Sequence, residues 1–146
     1  MAEIAVFSKI KSIKDREKMD AQKAYHQSME IFETIGTKLY NLLRKKEDAE
    51  QSYENYLQQQ VPIEKVKEQI LYIEMLNKKI VDLQREIQLA RNDMEMKQEV
   101  LTEAYVEVKK FEKIIENRNK EKRETELRLE NNMMDEISIR QFMNNR

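Results

Sequence analysis

The chain has no cysteine and no tryptophan, and it holds a single proline, a single glycine and a single histidine in 146 residues. Without cysteine there is no disulfide framework and no thiol chemistry. One glycine leaves no Gly-rich loop of the kind that cradles phosphates, and no P-loop pattern occurs. One histidine and no cysteine rule out His/Cys metal spacings. No apolar run approaches the ~18 residues that a membrane-crossing helix needs. The start, MAEIAVFSK, lacks the charge, apolar run and cleavage site of a signal peptide. A cytoplasmic protein with no cofactor and no metal is the expectation.

What is present is charge and helix formers. Charged residues make up 38% of the chain, with 27 Lys plus Arg against 28 Asp plus Glu, a net charge of −1. That balance provides no general pull toward nucleic acid or an anionic membrane. The bias toward Glu, Lys, Gln, Leu, Ile and Met points to long helices or coiled coil. The 40% apolar fraction argues against disorder only if the apolar residues are periodic.

They are periodic. Stepping alternately three and four residues from Ile73 meets Leu76, Ile80, Leu83, Ile87, Ala90, Met94, Lys97, Leu101, Ala104, Val108, Phe111 and Ile115. All but Lys97 are apolar, which makes a sustained heptad seam. A second seam runs through Tyr25, Ser28, Phe32, Ile35, Leu39, Leu42, Lys46, Ala49, Tyr53 and Tyr56, interrupted only by Ser28 and Lys46. Val6, Ile10 and Ile13 lie upstream of it and do not extend it in strict heptads. Across the polar stretch KDREKMD, residues 14–20, a stutter or a looser zone is expected.

Pro62, within YLQQQVPIEKV (residues 56–66), separates the seams. Inside a helix a proline costs about 3 kcal/mol. At the first helical position its missing N–H is no loss. The expected fold is therefore all-α, a long antiparallel two-helix coiled-coil hairpin forming a single domain over residues 1–146. The first helix is expected over about 4–57, the turn at 58–61 and the second helix over about 62–140. Residue i should then face roughly residue 121 − i. At about 1.5 Å per residue the first helix would span ~80 Å and the second would be longer. The excess belongs past residue 118, where the seam fails at Arg118, Lys122 and Thr125. Leu129, Met133, Met134, Ile137, Ile139, Phe142 and Met143 would lie there without a partner helix. The turn itself, three glutamines and a valine, offers little for a partner to grip.

Two further features bear on function. Lys9, Lys11, Lys14, Arg16 and Lys18 in the first helix would lie beside Lys109, Lys110, Lys113, Arg118, Lys120, Lys122 and Arg123 in the second. A solvated face is the plain reading, and an anion-seeking surface the sharper one. Tyr40, Tyr72 and Tyr105 fall beside or off the seams, either as interface anchors or as a widened core. Catalysis needs groups converging in a pocket that excludes water, and a two-helix pair has none, so no enzyme is expected. His26 should face solvent.

EVKKFEK (107–113) followed by MMDEISIRQF (133–142) resembles the FliJ family of flagellar type III export proteins. FSKIKSIKDREK (7–18) is similar to that family's N-terminus, and KLYNLLRKKE (38–47) to its Gram-positive members. Residues 134–136, Met-Asp-Glu, carry most of the discrimination. The resemblance covers the whole chain. It implies an antiparallel coiled coil like the central stalk subunit of rotary ATPases. It also implies three partners: the hexameric export ATPase ring, the cytoplasmic domain of the export gate, and substrate-specific export chaperones. Such a protein couples ATP hydrolysis and chaperone recycling to export and hydrolyses nothing itself. It would act at the cytoplasmic face of the membrane, reaching the membrane only through partners, without nucleic acid.

The matching positions for ATPase contact are Phe7, Ile10, Val108, Phe111, Glu112, Met134, Asp135 and Glu136. Those for the export gate are Leu42, Tyr72 and Leu76, with Lys79 beside them. Two alternatives remain. One is a general coiled-coil chaperone or holdase for flagellar cargo, without a ring-coupling role. The other is a structural coiled coil that oligomerises through its C-terminal segment.

Overall fold

The structure, a computed structural model, describes residues 2–145. It consists of two helices, α1 (Ala2–Gln58) and α2 (Ile63–Asn144), with no strand among the described residues. The helices pack against each other as a hairpin, the all-α fold expected from the two seams. No helix is long and apolar enough to cross a membrane, among the described residues.

The connection is short and locally bonded. Gln59 N–H donates to Asn55 O at 3.1 Å, closing the last turn of α1. Val61 N–H donates to Gln59 O at 2.9 Å, a tight three-residue bend. Pro62 stands immediately before α2, one residue outside the position expected for it. Its carbonyl accepts from Lys65 N–H at 3.0 Å, so it serves the helix start without needing the donor it lacks. Glu64 lies in the first turn of α2 and Glu3 in that of α1, where the helix dipole favours negative charge.

The sheltered residues follow the seams. Every seam position of α2 from Ile73 to Ile115 is buried or half-buried, and so is every one of α1 from Tyr25 to Tyr56. Six cross-helix pairs establish the register: residues 3 with 118, 7 with 111, 18 with 105, 32 with 91, 36 with 87, and 49 with 69. Their numbers add to between 118 and 123, around the expected 121. The contacts divide the chain into two units: Ala21–Leu101, and residues 1–20 together with 102–146.

In the unit Ala21–Leu101, the fully buried positions of α1 are all small residues. Ala21, Ser28 and Ala49 are the buried positions of α1 here, and Leu76, Ile80 and Ala90 those of α2. Small side chains let the helix axes approach and leave room for the larger partner. Leu76 is only 1% exposed. Burying such a side chain contributes about 1.5–3 kcal/mol. The Ser28 hydroxyl, fully enclosed, donates to Tyr25 O at 2.7 Å and so is satisfied within its own helix. Gln69 Nε2 donates across to Ala49 O at 2.9 Å, and the Arg91 guanidinium lies 5.6 Å from the centre of the Phe32 ring.

In the other unit one of the two arrangements expected across residues 14–20 is excluded. No stutter occurs. The sheltered positions of α1 are Ile4, Phe7, Lys11, Lys14 and Lys18, with Ile10 and Asp15 beside them. Together with Ala21 they keep the three–four spacing of the later seam unbroken. Val6 and Ile13 point outward, 56% and 57% exposed. The physical reason is the lysine stem: its methylenes cover apolar surface while the ammonium reaches water. Polarity alone therefore hides these positions from a reading of the sequence.

Candidate partner-binding surfaces

The unit formed by residues 1–20 and 102–146 brings most of the ATPase candidates together. Phe7 and Phe111 stack across the helix pair, ring centres 6.4 Å apart and tilted by 40°. The centre-to-centre distance lies within the range of favourable aromatic contacts. Ile10 is half-buried on the flank. Glu112 is exposed and borders an open notch of about 370 Å³ with Ser8, Lys11, Ser12 and Ile115. Val108 is only 3% exposed, so it supports this surface from beneath and presents nothing to a partner. Lys18 Nζ stands 4.5 Å from the centre of the Tyr105 ring, and Tyr105 is itself exposed.

Arg118, where the apolar seam fails, binds Glu3 at 3.1 Å and Glu121 at 3.7 Å. Glu3 is in the first turn of α1, so α2 loses its partner here, as the sequence predicts. Past Lys122 every described residue is exposed, and α2 still continues as helix to Asn144. Met134, Asp135 and Glu136 lie on this uncovered segment, Met134 at 67% exposure. Leu127, Leu129, Met133, Ile137, Ile139, Phe142 and Met143 are also at least half exposed. Lys11 Nζ pairs with Asp15 at 3.5 Å and Lys14 Nζ with Glu17 at 3.4 Å, so part of the positive charge is answered locally.

In the unit Ala21–Leu101 the three gate candidates part company. Leu76 is enclosed between the helices, and Leu42 is half-buried on the seam. Tyr72, 40% exposed, borders a shallow notch with Lys45, Asp48, Ala49, Ser52 and Gln69. Its exposed apolar neighbours are Leu71 and Met75, which the sequence reading passed over because it followed the seam. Apolar residues falling between seam positions were the available signal. Lys79, beside them, is exposed. Tyr40 points outward with the Arg44 guanidinium 5.9 Å from its ring centre. His26 is exposed, its Nε2 3.5 Å from Glu30 Oε1.

Known proteins bear on what these surfaces are for. The model of the flagellar FliJ protein family matches residues 4–146. The flagellar FliJ protein of Bacillus subtilis (strain 168) is 36% identical over 137 residues, covering 94% of this chain and 93% of that protein. No solved structure matches the chain. A family match running almost from end to end, beside a relative of nearly equal length, carries one conclusion: the chain belongs to the flagellar FliJ family.

Proposed function

We propose that this flagellar export protein acts as a stalk-like coupling element, without catalysis of its own. In this reading the surface around Phe7, Ile10, Phe111 and Glu112, with Met134, Asp135 and Glu136, meets the export ATPase ring. Val108 holds that surface in place. Tyr72, with Leu71 and Met75 beside it, meets the export gate, and Leu42 and Leu76 shape the helix pair beneath. Contacts with export chaperones would let it join cargo delivery to ATP hydrolysis, at the cytoplasmic face of the membrane.

The observation that carries the reading is the uncovered end of α2. A helix that leaves eight large apolar side chains at least half exposed between Leu127 and Met143 presents the kind of surface that marks a protein contact. Acidic residues Glu124, Glu126, Glu130, Asp135 and Glu136 lie before and among the first of them, giving such a contact polar edges. The test is titration of the purified chain against the export ATPase, following ring assembly and hydrolysis, with and without residues 124–146. Stimulation by the full chain and its loss on truncation are expected. Binding with no change in either readout would overturn the coupling role.

A second reading is an escort for unfolded export cargo. The exposed Leu71, Tyr72 and Met75 favour it, because methionine and tyrosine adapt to varied partners. Cargo binding that is lost on Tyr72→Ser and Tyr40→Ser, without any effect on the ATPase, would select it.

A further inference from the structure

In the unit of residues 1–20 and 102–146 the two helices bring unlike stripes together. On α2 the sheltered residues Ala104, Val108, Phe111 and Ile115 are all apolar. On α1 three successive seam positions, Lys11, Lys14 and Lys18, are lysine. The Lys11 and Lys14 side chains remain 34% and 29% exposed, and their ammonium groups bind Asp15 and Glu17 of their own helix. Those ion pairs tie α1 to itself, not to α2. Contacts that do cross between the helices include the Phe7–Phe111 pair, Lys18 over the Tyr105 ring and the Glu3–Arg118 ion pair. An exposed ion pair adds little.

Long paired helices are held by their buried stripes more than by propensity. From Lys11 to Lys18 the stripe of α1 is lysine, so this stretch has few buried apolar contacts, the mark of a segment that opens ahead of the rest. We infer that residues 4–18 of α1 form a displaceable cover, which lifts from α2 ahead of the rest of the hairpin. Lifting uncovers the stripe of Ala104, Val108, Phe111 and Ile115 and leaves α2 there as an unpaired helix, whose backbone hydrogen bonds open far more readily than those of a paired one. The occupant that fits this stripe is a partner helix with apolar residues spaced alternately three and four apart. Such a helix supplies the apolar contacts that the lysines do not. The opening belongs to the chain alone and stands or falls separately from the ATPase reading.

Hydrogen exchange on the full chain tests it. The first turns of α1 fray in any helix, so the informative amides are 104–115, in the interior of the 82-residue α2. They should exchange at least about tenfold faster than amides 76–90, because opening exposes them without global unfolding. Changing Lys11, Lys14 and Lys18 together to leucine should slow exchange at 104–115 by about tenfold or more and leave 76–90 nearly unchanged. Lys14→Leu alone should move 104–115 in the same direction, and it serves if the triple variant self-associates. Equal protection of the two stretches in the unmodified chain would overturn the inference. So would leucine variants that leave exchange at 104–115 where it was.

Discussion

Replacing Gly36 with alanine should stabilise the hairpin. Gly36 is the chain's only glycine and lies within α1. Among the described residues no glycine has positive φ, so the backbone at 36 asks nothing that alanine cannot supply. A Cβ built there meets only Ile87 Cδ1 at 3.7 Å, an ordinary contact. Glycine inside a helix is worse than alanine by roughly 0.5–1 kcal/mol, mainly through the entropy it loses on folding. With no clash to offset it, Gly36→Ala should recover that amount. At about 2 cal/mol/K of unfolding entropy per residue, the 146-residue chain carries about 0.3 kcal/mol/K. Tm should therefore rise by about 2–3 °C if the whole chain melts together, and by more if only the unit Ala21–Leu101 melts. Thermal and urea unfolding followed by the helix signal in circular dichroism would measure it. Gly36→Val is the control, since its branched side chain is stiffer in a helix and reaches further toward Ile87, so it should recover less. A lower Tm for Gly36→Ala would refute the reasoning and show that close approach at this position depends on the missing Cβ.

Other substitutions probe other parts of the argument for this fold. Leu76→Ala empties the most enclosed side chain and should cost about 2–5 kcal/mol in urea unfolding; a loss well below that would mean the helices close over the gap. Ala21→Leu forces a larger side chain into a buried position and should cost about 1–3 kcal/mol by the same assay. Deleting residues 124–146 removes, among the described residues, only exposed side chains, and should move the unfolding free energy of the remaining hairpin by less than about 0.5 kcal/mol; a larger drop would place that segment against the hairpin in solution. Glu3→Gln breaks a partly exposed ion pair, so its effect on stability should stay within about 1 kcal/mol and fade with added salt.

Much of this architecture was legible because coiled coils are written in a single period. The run from Ile73 to Ile115 identified its own buried face, and the run from Tyr25 to Tyr56 did the same. Arg118 marked where the pairing stops, and Glu3 meets it there. The surfaces were less legible. Leu76 was expected at the export-gate surface from the family resemblance, yet it is enclosed. Leu71 and Met75 stayed hidden because following a seam ignores what lies between its steps.

By itself the sequence determined the helices, the bend at Pro62 and the antiparallel register, since those follow from local propensity and from one repeating spacing. Only the tertiary structure decided which way Lys11, Lys14 and Lys18 lie. A lysine is polar at its tip and apolar along its stem. Its place on a seam or in solvent is settled by what stands opposite, and here that is α2.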